Sequence, residues 1–373
     1  MRIGVPKEIK IQEHRVGLTP ASVRELVNSG HEVWVEHHAG DGSGFLNSAY
    51  TNAGAKVVSS AEEIYNDCTL IVKVKEPQAA ECALLKPGQT IFTYLHLAPD
   101  HAQTSALLKS GATCIAYETV QDVYGRLPLL APMSEVAGRM AIQAGARCLE
   151  KSQHGQGLLL AGVPGVPPAT VLILGAGVVG SNAVRMAVGL GANVIVMDRS
   201  VDALRRLDQL YGNRIQTIYA TQQALAEWIL NADLVVGAVL LPGATAPKLV
   251  SRQMLKTMKL GAAIVDVSID QGGCFESSRP TTHDDSTYVE EDVVHYCVAN
   301  MPGAVARTSS LALNNATLPY VLKLANLGIK EALTVDAGFL NGLNIVGNQV
   351  CCGAVAVAQG LKSISLKEGL KLV

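Results

Sequence analysis

Runs of β-branched and aliphatic residues recur through the middle of the chain, at 170–174, 193–198, 215–219, 234–239, 262–267 and 295–299. Each run places apolar residues on both faces, the pattern of a central strand in a parallel sheet. The segments between the runs are long enough for crossover helices. Six such strands predict an α/β domain with a doubly wound parallel sheet. The N-terminal part has the same rhythm with less regularity. Strands are predicted there at 2–5, 32–36, 56–58, 70–74, 90–94 and 113–116, and helices at 20–29, 61–66 and 100–110. Thr19-Pro20 suits a helix start, with the proline at the first helical position. Two later stretches, 314–326 and 337–361, read as helical or partly helical. They are too short for a third domain, so they are expected to fold back onto the N-terminal block.

Composition narrows the function classes. Hydrophobic residues make up 49% of the 373 residues and charged residues 17%, enough to bury a large core and too apolar for a disordered chain. The net charge of −2 and the 4% of aromatic residues give neither the basic footprint nor the stacking platforms of nucleic-acid binding. The segments 171–197 and 337–361 are apolar, but asparagines, glutamines and glycines interrupt them, and the first also holds Arg185. Both are expected in a protein core rather than in lipid. The cysteines, at 68, 82, 114, 148, 274, 297, 351 and 352, form no CxxC pair and read as buried thiols of a reducing compartment. The opening residues have no apolar signal-peptide core, and a cytoplasmic location is expected.

The motif with the most context is Gly175-Ala176-Gly177-Val178-Val179-Gly180. It follows the apolar run 171–174 and opens a helical stretch, 178–190. Gly175 permits a tight turn, Gly177 lets the backbone approach a pyrophosphate, and Gly180 allows close packing of helix on strand. The helix N-terminus then offers N–H groups to phosphates. Asp198 ends the next predicted strand, where a carboxylate binds ribose hydroxyls and repels a 2′-phosphate, which favours NAD over NADP. Arg199 beside it weakens that preference slightly. The expected fold is therefore α/β with two Rossmann-like domains. An NAD-binding domain, 129–306, is inserted in a discontinuous substrate domain, 1–128 with 307–373.

Ligands in open α/β sheets bind beyond the carboxyl ends of the strands. Lys75 follows the run 70–74, and His96 follows 90–94. The imidazole is suited to proton transfer and the lysine to holding a carboxylate or carbonyl oxygen. A rim lysine and a backbone-satisfied histidine are the plain alternatives. Arg15, between the first strand and first helix, suits a bidentate grip on a carboxylate, or else a surface ion pair. Asp270 follows the run 262–267 and either orients a water or amine or caps its loop. Ser134 reads as a helix cap or a phosphate contact. Asn300 and Met301 follow the sixth run, where a nicotinamide would lie. His37, His38 and His283 lack partners at metal-ligand spacing.

Several long motifs in register then resemble one family. Gly4-Val5-Pro6-Lys7-Glu8 with Glu13-His14-Arg15-Val16-Gly17-Leu18-Thr19-Pro20 resembles the N-terminal signature of the alanine dehydrogenase and nicotinamide nucleotide transhydrogenase family. The segment 172–198 resembles its second signature, and Val72-Lys73-Val74-Lys75-Glu76-Pro77 and Tyr94-Leu95-His96-Leu97-Ala98 also fit. The resemblance runs nearly end to end. It implies NAD-dependent, reversible oxidative deamination of L-alanine to pyruvate and ammonium, with Arg15 and Lys75 binding substrate. It implies His96 as acid–base catalyst and Asp270 as the second catalytic residue. For the coenzyme it implies Ser134, Gly175, Gly177, Val178, Val179, Gly180, Asp198, Ala220, Val239, Leu240, Val267, Ser268, Ile269, Asp270, Arg279, Val298, Ala299, Asn300 and Met301. It further implies a homohexamer with no membrane or nucleic-acid partner. Ala203 and Ala220 stand where relatives often carry a basic residue and a serine. Lys323 and Leu327 replace the glutamate and histidine that hold a metal in some members, so no metal is expected there.

Two other readings share this frame. One is the NAD(H)-binding subunit of a proton-translocating transhydrogenase, which passes hydride to a nucleotide on a partner. The other is a dehydrogenase for a larger amino acid or hydroxy acid, such as a saccharopine-type enzyme, with a wider pocket.

Overall fold

A computed structural model describes residues 1–239 and 246–373. The chain divides into two compact units, 1–133 with 305–373 and 134–304. Strands β1 (Arg2–Val5), β2 (Glu32–Glu36), β3 (Lys56–Val58), β4 (Leu70–Val72), β5 (Thr90–Thr93) and β6 (Thr113–Ala116) belong to the first. The second holds β7 (Thr170–Leu174), β8 (Asn193–Asp198), β9 (Ile215–Tyr219), β10 (Leu234–Gly237), β11 (Ala263–Asp266), β12 (Thr287–Glu290) and β13 (Val293–Tyr296). The chain then returns to the first unit with β14 (Leu343–Val346) and β15 (Gln349–Val350). The second unit is thus an insertion in the sequence of the first.

The first sheet runs β15-β14-β6-β5-β4-β1-β2-β3 and the second β12-β13-β11-β10-β7-β8-β9. In both, the strand order reverses beside the first strand, between β1 and β4 and between β7 and β10. All pairings among β1–β6 are parallel, as are those among β7–β11 and β13. Consecutive apolar residues explain why these strands are central. Val171 and Ile173 pack into one core cluster of the second unit, while Leu172 and Leu174 pack into another. Successive side chains of a strand point to opposite faces, so both faces must be covered.

One expectation is made specific and two are corrected. The stretch 337–361 is partly helical, as expected, and its remainder is the antiparallel hairpin of β14 and β15. Val346 and Gln349 pair across Gly347-Asn348, and Gly347 takes φ 57°, as the first residue of a two-residue hairpin loop often does. The second sheet has seven strands rather than six, because β12 adds an antiparallel edge to β13. Its turn, Glu291-Asp292, has φ 51° and 60°, a geometry usually signalled by Asn-Gly. Finally, Ser134 lies inside the first turn of the helix Ala131–Cys148 and does not cap it. Strand ends also move: Lys73 to Lys75 and Tyr94 lie just past their strands, and the last parallel strand begins at Val293.

Among the described residues no helix is long and apolar enough to cross a membrane. All eight cysteines are unpaired thiols, Cys352 half-buried and the others buried. Lys323 pairs with Asp336 at 2.6 Å.

Candidate active site

In the first unit, the reversal of strand order leaves the chain after β1 beside the chain after β4. The loop 6–19 comes directly after β1, and Thr19 caps the helix Pro20–Asn28 by accepting from the Ser22 N–H. The helix Ala306–Leu327, from the far end of the sequence, holds this loop in place. The Val16 N–H donates to Ser310 Oγ (3.1 Å), and the Thr19 N–H donates to Asn314 Oδ1 (2.8 Å). Asn314 Nδ2 donates in turn to the Val16 carbonyl (3.3 Å). Arg15 is only 2% exposed. Its Nε and Nη2 donate to the two carboxylate oxygens of Glu13, at 2.7 and 2.5 Å, and Nη1 points at Met133 Sδ, 3.1 Å away. Burial opposes the positive charge, but the Glu13 carboxylate more than offsets it, and the pKa of the guanidinium is raised. The surface ion pair weighed from the sequence is therefore a buried, bidentate one.

Lys75 and His96 come from the ends of neighbouring strands and do meet: Lys75 Nζ lies 3.5 Å from His96 Nε2. Under Lys75 sits a buried network. Lys73 Nζ donates to Glu8 (3.0 Å) and Glu81 (2.6 Å), and Glu8 also accepts from the Val74 N–H (2.7 Å). Desolvation works against the Lys73 charge, yet two carboxylates outweigh it and raise its pKa. The Tyr117 hydroxyl donates to the Lys73 carbonyl (3.0 Å). Glu76 is mostly buried. Burial pushes its pKa up, but Lys75, Lys10 and His96 prevail and hold it below the usual carboxylate range. Tyr94 stacks on His96, with ring centroids 5.9 Å apart.

The second unit carries the glycine turn. Gly175 has φ 107°, and a Cβ there would lie 2.5 Å from the Ala238 carbonyl at the end of β10. A Cβ on Gly180 would overlap the Gly175 carbonyl. A Cβ on Gly177 would meet no atom within 4 Å, so the backbone is open to a ligand at the N-terminus of the helix Val178–Gly189. Asp198 stands beside this turn: its Oδ2 accepts from the Ala176 N–H (2.6 Å) and its Oδ1 from the Ser200 N–H (2.7 Å). A carboxylate has about four acceptor sites, so capacity for ribose hydroxyls remains. An open, N–H-lined turn with an acid alongside fits a dinucleotide.

Around this turn, Ala220 donates its N–H to the Asp198 carbonyl (3.0 Å), and Ala203 is buried. Val239 accepts at its carbonyl from Ser268 Oγ (2.7 Å); Leu240 lies outside the described residues. Val267, Ser268, Ile269 and Asp270 form the one-turn 3-10 segment Val267–Gln271, with Asp270 exposed. Arg279 lies over the Tyr288 ring at 4.0 Å. Val298 bridges to Thr281, and Asn300 takes φ 64°, with Met301 buried after it.

Sequence reasoning missed the carboxylates that hold these groups: Glu8, Glu13, Glu81, Glu118 and Asp266. Asp266 is wholly buried and accepts from the Ser268 N–H (3.0 Å), the Cys274 N–H (2.9 Å) and Ser278 Oγ (2.6 Å), tying down the segment that displays Asp270. The usable signal was position, since Asp266 and Glu118 stand at the carboxyl ends of strands next to those that carry named site residues.

Two family models match, "Alanine dehydrogenase/PNT, N-terminal domain" over residues 4–137 and "Alanine dehydrogenase/PNT, C-terminal domain" over 141–353. The chain is 57% identical to an alanine dehydrogenase of Halomonas elongata over 364 residues, 98% of each chain. Among solved structures, an L-alanine dehydrogenase superposes with a TM-score of 0.93 at 51% identity, covering 96% of this chain and 99% of that one. A transhydrogenase from Sinorhizobium meliloti superposes at 0.81 with 25% identity, covering 95% and 100%.

Proposed function

The chain belongs to the alanine dehydrogenase/PNT family, and from that premise we propose that it catalyses the reversible oxidative deamination of L-alanine to pyruvate and ammonium with NAD as coenzyme. Full-length likeness to alanine dehydrogenases supports the reaction. The observation that carries the mechanism is the Lys75–His96 pair, a cation and a proton carrier within 3.5 Å at the ends of β4 and β5.

Residues 1–128 with 307–373 are assigned to the amino acid and 129–306 to the coenzyme. The coenzyme would be held by the N–H groups of the glycine turn, by Asp198 at the ribose and by the segments 267–270 and 298–301. When bound, the coenzyme would supply the hydride acceptor for the substrate α-carbon. Arg15 and Lys75 bind the carboxylate and the carbonyl oxygen, and the Glu13 clamp keeps Arg15 in one orientation. His96 moves protons to and from the α-nitrogen and the oxygen that replaces it, as water adds and ammonia leaves. Asp270, on the second unit, is assigned to the same water and amine steps. Asp198 favours NAD over NADP by like-charge repulsion of a 2′-phosphate. A cytoplasmic homohexamer is the assembly the family resemblance supports, and light scattering of the purified protein tests the number of subunits.

The likeness to the Sinorhizobium transhydrogenase supports a second reading, hydride transfer to a nucleotide on a partner. A spectrophotometric assay of the purified chain separates the two. Alanine-dependent formation of NADH, faster than that of NADPH, is the expected result. Absence of any alanine-dependent reduction, with NADH still bound, would leave the partner-dependent reading standing.

A further inference from the structure

His96 has an unusual backbone. Its φ of 50° places it in the left-handed region, where residues other than glycine are uncommon. It is joined to β5 through Tyr94 and Leu95, so the chain turns sharply just where the imidazole is presented. A conformation of this kind persists only when its surroundings fix it.

Glu118 is what fixes it. It stands in the 3-10 turn Tyr117–Thr119, immediately beyond β6, the parallel neighbour of β5. Its Oε1 accepts from the His96 N–H at 2.7 Å and from the Leu95 N–H at 3.1 Å, while Oε2 lies 3.2 Å from the same Leu95 nitrogen. Two successive amides thus converge on one carboxylate. On the other side, Gln103 Nε2 donates to the Leu95 carbonyl at 2.9 Å. Leu95 is buried and His96 exposed, so the peptide between them is gripped while the ring reaches out beside Lys75.

We propose that Glu118 is the positioning residue for the acid–base imidazole: by accepting the Leu95 and His96 amides, it holds His96 in the left-handed conformation that aims its ring at Lys75 and the substrate. Glu118 itself exchanges no proton with substrate. The inference rests on His96 being the acid–base group, and it adds the reason the ring is poised. A displacement of about 1 Å at a reacting group costs roughly a hundredfold in rate, so loss of this clamp is expected to show in turnover.

The test compares Glu118→Ala, Glu118→Asp and Glu118→Gln, alone and with His96→Ala, in the full-length protein. Alanine shortens the side chain beyond reach, and aspartate withdraws the carboxylate by one methylene. Both are expected to lower kcat about ten- to a hundredfold, with the KM for alanine and the affinity for NADH changed little. Glutamine keeps an acceptor oxygen at the same reach and is expected to restore most of the turnover. In the His96→Ala background, Glu118→Ala is expected to add nothing, because residues acting through one another are not additive. The His96 ring resonance in coenzyme-free protein, assigned by its loss in His96→Ala, is expected to shift in Glu118→Asp and not in Glu118→Gln.

Wild-type kcat in Glu118→Asp, or an equal loss in Glu118→Gln, would overturn the positioning role, and so would a full extra loss in the His96→Ala background. If Glu118→Ala fails to fold, the aspartate and glutamine variants still decide. His96→Ala retaining near-native deamination would instead remove the reading on which this one stands, whatever Glu118 does.

Discussion

The parallel cores of the two sheets share a strand order and differ in the connection that leaves their first strands. After β7, only residues 175–177 intervene before a helix begins; after β1, residues 6–19 do. The short connection can offer little except backbone, and its glycines open N–H groups to a ligand at a helix N-terminus. The long one has room for side chains, and it brings Glu8, Glu13 and Arg15 to the same point of reversal, where Lys75 arrives from β4. On the proposed function, one topology thus yields a site that would grip phosphates through the main chain and another that would grip a small zwitterion through charged side chains. The difference lies in loop length and loop chemistry on a common frame.

The largest effect separates chemistry from coenzyme binding. His96→Ala is expected to lower kcat by about 10²–10⁴-fold, while NADH titrated by its fluorescence binds as in the wild type. Loss of NADH binding in that variant would show that the two sites are not separable in this way.

Next comes the charged loop. Glu13→Gln removes one partner of a buried ion pair and is expected to destabilise the protein by about 3–5 kcal/mol in chemical denaturation. It is also expected to raise the KM for alanine. An exposed pair would cost about 1 kcal/mol or less, and a loss that small would contradict the buried clamp.

Acid distinguishes the units as well. His295, wholly buried in β13, bonds Ser277 Oγ and the Val293 carbonyl, at 2.7 and 2.8 Å. Burial, with Arg252 and Arg279, lowers its pKa from 6.5 to about 4. The unfolded chain therefore binds the extra proton first, and stability falls as pH drops from 6.5 towards 4, by about 3 kcal/mol from this group alone. Glu76 in the first unit has a depressed pKa, so its contribution persists to lower pH and is lost as pH falls from the ordinary carboxylate value towards its own lower one. Hydrogen exchange across a pH series is expected to show the second unit loosening first, and His295→Gln to flatten that dependence. Equal loosening of both units over that range would count against it.

The smallest effect tests the glycine turn. A Cβ at Gly177 meets nothing in the protein, so Gly177→Val is expected to leave the melting temperature nearly unchanged. Losing one backbone bond to a phosphate is expected to weaken NADH binding by about 1.5–3 kcal/mol, roughly ten- to a hundredfold. Unchanged affinity in a titration would mean that the coenzyme does not approach the chain there.

Much of this was legible in the chain. The runs at 2–5, 32–36, 170–174 and 193–198 are strands to the residue, because β-branched residues in consecutive apolar positions have few other stable placements. Asp198 was placed beside the glycine turn by spacing alone. The hairpin of β14 and β15 was not seen, because its strands are only four and two residues long and its pairing with β6 comes from far along the chain. Nor were Glu8 and Glu118 seen. Their partners lie 66 and 22 residues away, so no local spacing ties them to the groups they hold, and strand-end position was the one signal that Glu118 offered.

By itself, then, the sequence determined the parallel strands, the glycine turn and the residue types available at the strand ends, since these depend on local sterics and on periods of two and 3.6 residues. Only the tertiary structure decided that Lys75 meets an imidazole 21 residues away, that Arg15 is buried with Glu13, and that a carboxylate after β6 holds His96 in a left-handed turn. Each of those depends on which strands become neighbours, and on the free energy of leaving a charge or an amide unpaired once water is excluded.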